Sequence, residues 1–264
     1  PISVVPLHLI FNATDIYLDG VNISSSEFYN RLRTEKPVVS TSQPTPAALA
    51  QRYAQLVEED YDILSVHISS KLSGTINSAE QARKTLPGAS IELVDSLLAS
   101  MPLGFSVLNA ARAAAQGASL LECKRVAEET ARNASAIFIV DTLEYLHRGG
   151  RIGGASAFFG TALNIKPVLE LNNGIIDAVG RVRTLNKAMD YMLEILQRKI
   201  TDSVKGIQLS ALHAASPDNA TLLLQRANDM LGLTNNNKLI AEVSPVIGAH
   251  VGPGTIGIAY SLGF

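Results

Sequence analysis

Between residues 47 and 140 the apolar positions alternate between two periods. In AALAQRYAQLVEE, Leu49, Tyr53, Leu56 and Val57 fall on one face at helical spacing. DILSVHI is short and apolar, as a strand is; TINSAEQARKTL returns to a helical pattern and SIELVD to a strand. PLGFSVLNAARAAAQ reads as a helix ending at Gly117, and Ser119-x-x-Glu122 has capping-box spacing for another through Arg132. AIFIV then reads as a buried strand. Strands alternating with helices predict a parallel sheet covered on both faces.

Both flanks break that rhythm. Ahead of it, VVPLHLIF and IYLDGVNI are apolar runs, the second interrupted by the turn pair Asp19-Gly20. Ser24 and Glu27 have capping spacing before EFYNRLR, and Thr45-Pro46 supplies an N-cap and a first-turn proline. Beyond residue 141, TLEYLHRGG predicts a short helix stopped by Gly149-Gly150. NIKPVLEL and IIDAVGRVR flank Asn172-Asn173-Gly174 as a hairpin. A long helix (TLNKAMDYMLEILQRKI), a strand (GIQLSALHA), a helix (PDNATLLLQRANDML) and the strands KLIAEV and GTIGIAY follow. The expected class is α/β: a three-layer α/β/α domain with a mostly parallel sheet over 1–140, and a smaller α+β domain over 141–264. No repeat or low-complexity linker separates them, so a shared interface is expected.

Composition narrows the function classes. The 264 residues are 47% hydrophobic and 17% charged, enough for a substantial core. A net charge of −2 without a lysine–arginine block lacks the footprint of a nucleic-acid partner. One cysteine, Cys123, excludes an intrachain disulfide and a cysteine-rich zinc site, and its helical setting suits a packed small residue. No apolar run is long enough for a bilayer and PISVVPLHL has no basic n-region, so a cytoplasmic location is expected. Four glycosylation sequons, at Asn12, Asn22, Asn133 and Asn219, carry little weight without a secretion signal.

The chemistry-bearing stretch is Ile68–Ala82, ISSKLSGTINSAEQA, with hydroxyls and a glycine at a strand-to-helix turn. Helix capping and anion binding both ask for that composition. Gly252-Pro-Gly-Thr-Ile-Gly257 matches a dinucleotide fingerprint in letters only, for no helix or acidic residue follows. No P-loop and no G-x-S-x-G elbow occurs. The five histidines have no metal-ligand spacing, and neither a metal nor a cofactor is expected. His67 and His213 fall in strands and read as satisfied core or interface residues. His250 precedes Val-Gly-Pro-Gly, where irregular backbone is expected to let it point into a cleft.

Six motifs in order, TSQP (41–44), SSKLSGT (69–75), VDS (94–96), LHRGGRI (146–152), NIKP (164–167) and HVGPG (250–254), resemble the DegV family. Those proteins are bacterial fatty-acid-binding components of a fatty acid kinase. The resemblance runs from Pro6 to the C-terminus. It implies two domains and one long-chain fatty acid with its carboxylate near their junction. Thr41, Ser73, Gly74 and His250 are then the carboxylate partners, and Arg151 faces an ATP-dependent fatty acid kinase or the phosphate. Arg183 is a second kinase contact. A role in phospholipid metabolism, transient membrane contact and no catalytic residues of its own follow from the same resemblance. The family starts with a strand ending in Asp-Ser, so a first strand ahead of Pro1 is expected to be missing.

Elementary energetics agree with that head-group set. A carboxylate buried beside an acyl chain must be hydrogen-bonded, and hydroxyls, an amide and an imidazole do this without a fixed arginine. The tail supplies affinity, about 0.8 kcal/mol per buried methylene. Two other readings remain: a lipid esterase or hydrolase using Ser73 and His250, and a sensory or structural module whose lipid is incidental.

Overall fold

In the computed structural model, which describes residues 1–160, 165–200, 206–233 and 239–263, the chain opens with a small antiparallel sheet. Strands β1 (His8–Phe11) and β2 (Asp15–Leu18) form a hairpin, α1 (Ser25–Thr34) follows, and β3 (Val39–Ser42) pairs with the other edge of β1. Ser24 Oγ accepts from the Glu27 amide at the start of α1. Thr45 Oγ1 does the same for Ala48 in α2 (Pro46–Glu58), with Pro46 in the first turn. The expected parallel unit comes next: β4 (Ile63–His67), α3 (Thr75–Lys84) and β5 (Ile91–Asp95), in register from Ile63 opposite Ile91 to His67 opposite Asp95. Helices α4 (Ser100–Ala115) and α5 (Leu120–Arg132) pack as a pair, and Ser119 with Glu122 closes a complete capping box on α5. Cys123 is buried, as its helical setting predicts.

The second half is organised by a six-stranded sheet. Its strands are β6 (Ala134–Ile139), β7 (Lys166–Asn172), β8 (Ile175–Val182), β9 (Ile207–His213), β10 (Ile240–Glu242) and β11 (Ile256–Leu262), ordered β10-β9-β11-β6-β7-β8. Three helices and a short one accompany it: α6 (Glu144–Arg148), α7 (Leu185–Lys199), α8 (Pro217–Leu231) and α9 (Pro245–Val251). Among the strands of the described residues only β4–β5 and β9–β10 pair in parallel. The fold is thus mixed α/β with several sheets. One strand sits where the alternation does not predict it. Ala134–Ile139 lies antiparallel between β7 and β11 instead of beside β4 and β5. The reason is its burial on both faces. Ile137 and Ile139 enter a core with Met189, Met192, Leu196 and Leu223 of α7 and α8. Ala136 and Phe138 enter a second core with Leu9, Phe11, Phe28, Leu146 and Val246. A strand covered twice loses the polar alternation that marks an antiparallel strand with one wet face.

The predicted hairpin at Asn172-Asn173-Gly174 is present, with φ of 47° at Asn173 and 84° at Gly174. Its tip docks on the Ser69–Gly74 loop. Ser69 Oγ donates to the Gly174 carbonyl and Lys71 Nζ to the Asn173 carbonyl, both at 2.8 Å. These bonds tie the hydroxyl-rich loop of the first half to the second. Asn164 of the NIKP motif lies outside the described residues. Among those described, no helix is long and apolar enough to cross a membrane.

Gly174 fills two needs at once: a left-handed φ, and room for Ser69, whose Oγ would lie 2.5 Å from an added Cβ. Gly174→Ala is expected to destabilise the protein by about 1–3 kcal/mol. An unchanged urea midpoint would remove the hairpin–loop clamp from the account.

Candidate functional site

A partly open cavity lies between the second core face of the six-stranded sheet and the elements laid over it. Sheet residues Ala136, Phe138, Leu171, Ile176 and Leu212 form an apolar floor. Helix α9 contributes Val246, Ile247, His250 and Val251 as a wall. Polar groups gather where β3, the β4–α3 loop and the start of α4 meet: Thr41, Ser42, Gln43, Ser73, Ser100 and Arg151. One end is lined by polar side chains and the body is largely apolar. The architecture suits an amphipathic molecule with a compact head and a long tail.

Thr41, on β3, and His250, in the last turn of α9, meet across 209 residues of sequence, Oγ1 to Nε2 at 2.8 Å. The sequence places His250 in irregular backbone. It stands instead on a helix, and the irregular backbone begins just after it, at Gly252 with φ 76°. The ring is pressed against Gly149, where an added Cβ would overlap Nδ1. That approach explains the glycine at 149, and Nδ1 is buried without a hydrogen-bond partner. A buried N–H without an acceptor is costlier than an idle lone pair. The proton therefore belongs on Nε2, donating to Thr41 Oγ1, and the Thr41 hydroxyl hydrogen is left to point elsewhere. Burial and the positive charge of Arg151 lower the His250 pKa to about 4, so the ring is neutral near pH 7.

Ser73 and Gly74 start α3, and the hydroxyls there do not cap it. Gly74 is the N-cap and no side chain caps the helix. The Ser73 hydroxyl pairs with Thr75 Oγ1 at 2.8 Å instead. Helix α4 begins the same way: Ala99 is its N-cap, again with no side-chain cap, and Ala99 and Ser100 line the cavity. Two helix N-termini without capping side chains, each carrying a partial positive charge, thus border the polar end. The Gln43 amide lies over Gly74, with Nε2 only 2.7 Å from where a Cβ would be. The VDS motif shapes this loop: Asp95 accepts from the Ser70 and Leu97 amides at 3.1 Å, and Ser96 Oγ donates to the His67 carbonyl.

Arg151, expected to face a kinase or the phosphate, stands at the polar end of the cavity. It lines the cavity, and its guanidinium donates to the Leu72 carbonyl at 2.9 Å and to the Gly149 carbonyl. The GGR turn folds it back over the head-group loop, so the polar end has a full positive charge that the motif reading omits. Arg183 is exposed just past the end of β8 and is not brought to the cavity. Gln43, Ser42 and Ser100 are polar lining residues that motif reasoning missed. Gln43 was legible only as part of TSQP, and Ser100 has a φ of 54° that no sequence pattern announces.

The hydrolase constellation is not assembled. Ser73 bonds Thr75 and not His250, and the charge that acts on His250 is the cation of Arg151, not a carboxylate. His67 is satisfied by Ser65 Oγ at 2.8 Å, and burial lowers its pKa to about 4. His213, expected to be satisfied, is not: its buried Nδ1 has no hydrogen-bond partner and lies 3.9 Å from Glu242.

Both His67 and His250 bind protons more weakly in the folded chain than in the unfolded one. As pH falls below 6.5 the unfolded chain gains protons first, so stability declines until about pH 4 and then levels. His250→Gln is expected to flatten that decline in urea-melt series at pH 7, 5.5 and 4.5. The same slope in wild type and variant would contradict the buried neutral ring.

The family described as "uncharacterised protein, DegV family" matches residues 1–262. A DegV domain-containing protein of Streptomyces coelicolor is 38% identical over 262 residues, spanning 98% of this chain and 91% of that protein. A Thermus thermophilus structure described as fatty acid binding of a DegV family protein aligns with TM-score 0.88 at 39% identity, over 97% of this chain and 90% of that one. A fatty-acid (stearic acid)-binding protein of Eubacterium ventriosum aligns with TM-score 0.90 at 26% identity, over 97% and 90%.

Proposed function

Because the chain belongs to the DegV family, we propose that it is a carrier for a long-chain fatty acid. The observation that carries this is the cavity's division into an apolar body and one polar end where Thr41, His250, Ser73 and Arg151 converge. Solved relatives that are fatty-acid-binding proteins support the ligand class.

In this reading the acyl chain lies against Phe138, Leu171, Ile176, Leu212 and Val246, and the carboxylate sits among the donors. Thr41, its oxygen already accepting from His250, donates its hydroxyl hydrogen to one carboxylate oxygen. Ser73 and the free amides at the start of α3 serve the other, where the helix dipole favours negative charge. Arg151 completes the neutralisation. Held by two carbonyls, it cannot swing freely into a bidentate clamp, which leaves the carboxylate releasable. The tail therefore carries most of the affinity and the head group sets orientation.

The finer proposal is that the carrier presents this carboxylate to an ATP-dependent kinase, which forms an acyl phosphate for phospholipid synthesis. The partner supplies the nucleotide and the catalysis. Arg151 then also faces the incoming phosphoryl group, and exposed Arg183 contacts the kinase. Such a carrier acts in the cytoplasm and meets membranes only to load or unload.

Native mass spectrometry of the purified protein should show added mass in the fatty-acid range. Replacing Thr41 by Val and Ser73 by Ala together should remove most of it, since each buried acceptor left without its donor costs about 1–3 kcal/mol. Full occupancy in a folded double variant would defeat the head-group assignment. In a reconstituted kinase assay, Arg151→Ala should lower acyl-phosphate formation by a larger factor than it lowers fatty-acid occupancy. Equal losses would confine Arg151 to binding.

A further inference from the structure

Helix α9 supplies four wall residues of the cavity, yet it has only seven residues and its own N-cap, Ser244, makes no capping bond to it. The acceptor comes from elsewhere in the chain. Asp19, 225 residues away at the turn after β2, takes the Ser244 hydroxyl on Oδ2 at 2.8 Å and the Val246 amide on Oδ1 at 3.4 Å. The Asp19 amide in turn donates to the carbonyl of Leu7, another lining residue, at 2.9 Å. In the sequence, Asp19-Gly20 reads only as a turn. Its side chain has a second task.

The geometry points to Asp19 as a positioning residue for the head-group site: it caps α9 from outside and so sets where His250 stands. Val246 and His250 are four residues apart, one directly above the other on the same helix face. The amide that Asp19 holds is therefore one turn beneath the imidazole that meets Thr41. Neighbouring contacts leave α9 little other freedom. Tyr29 Oη donates to the Val243 carbonyl at 2.8 Å, immediately before the helix. Phe28 and Tyr29 also press on Gly248, where an added Cβ would overlap the phenol oxygen. Removing Asp19 loosens the first turn of the helix, while Tyr29 still holds the Val243 carbonyl before it and the aromatic contacts hold its middle. The expected motion is a tilt, which acts most on residues at the helix ends, His250 among them.

This assignment rests on the carrier reading for its ligand, but its core can be measured without one. Three proteins are compared: wild type, Asp19→Ala and Asp19→Asn, whose amide retains an acceptor for Val246. The readouts are dissociation constants for palmitate and for the matching fatty alcohol, and the titration of the His250 ring by NMR in ligand-free protein. Asp19→Ala should weaken palmitate about fivefold, the scale of one lost cap, and leave the alcohol unchanged. The His250 titration should move up from about 4 as the ring loses its burial. Asp19→Asn should restore most of both. If Asp19→Ala fails to fold, Ser244→Ala, which deletes one of the two bonds, should shift the same readouts in the same direction. Acid and alcohol weakening together, with His250 titrating as in wild type, would make Asp19 a structural cap only and overturn the proposal. Wild type binding no fatty acid would defeat the carrier reading, and the His250 titration would still decide the role of Asp19.

Discussion

The bond between Thr41 and His250 is the constraint around which the rest of the molecule is arranged. It joins β3, a strand of the small N-terminal sheet, to α9, a helix near the other end of the chain, across the polar end of an apolar cavity. For the bond to exist, α9 must pack tightly on Phe28 and Tyr29, which Gly248 permits, and Gly149 must leave room for the ring. The six-stranded sheet must also be covered on both faces, so that one face can be spent on a cavity while the other is packed by α7 and α8.

The chemistry at that end follows from burial. A charged head group in an apolar wall is tolerated only when every lone pair finds a donor. Hydroxyls, amides of helix starts without side-chain caps and one arginine held by carbonyls provide donors without a tight ion pair. A neutral imidazole is part of the same solution: protonated, it would add a second buried cation beside Arg151, and burial with that charge keeps its pKa near 4.

Much of this was legible in the sequence, for physical reasons. Caps at Thr45 and Ser119, the hairpin at Asn173-Gly174 and the β4–α3–β5 unit depend on local rules that short stretches satisfy alone. AIFIV reads correctly as a buried strand, but the alternation gives it the wrong neighbours, because burial on both faces erases the sign of its pairing. The bond between Thr41 and His250 is non-local; the family motifs name both as carboxylate partners but do not announce that they meet each other. The reach of Arg151 into the cavity is non-local in the same way. Glycines on either side suggest an exposed turn, whereas that turn folds back so that the guanidinium reaches the Leu72 carbonyl. The α9 helix and its outside cap at Asp19 left no recognisable periodicity in seven residues.

The central claim is that the polar end receives a carboxylate in its charged form. Palmitate labelled with carbon-13 at the carboxyl, bound to the protein and followed by NMR from pH 8 to pH 5, tests it most directly. Donors and the Arg151 charge should hold the bound carboxyl below its free pKa, so its resonance should remain that of a carboxylate throughout and shift in a Thr41→Val variant. A resonance that titrates like carboxyl groups exposed to solvent, and that Thr41→Val leaves in place, would contradict the account.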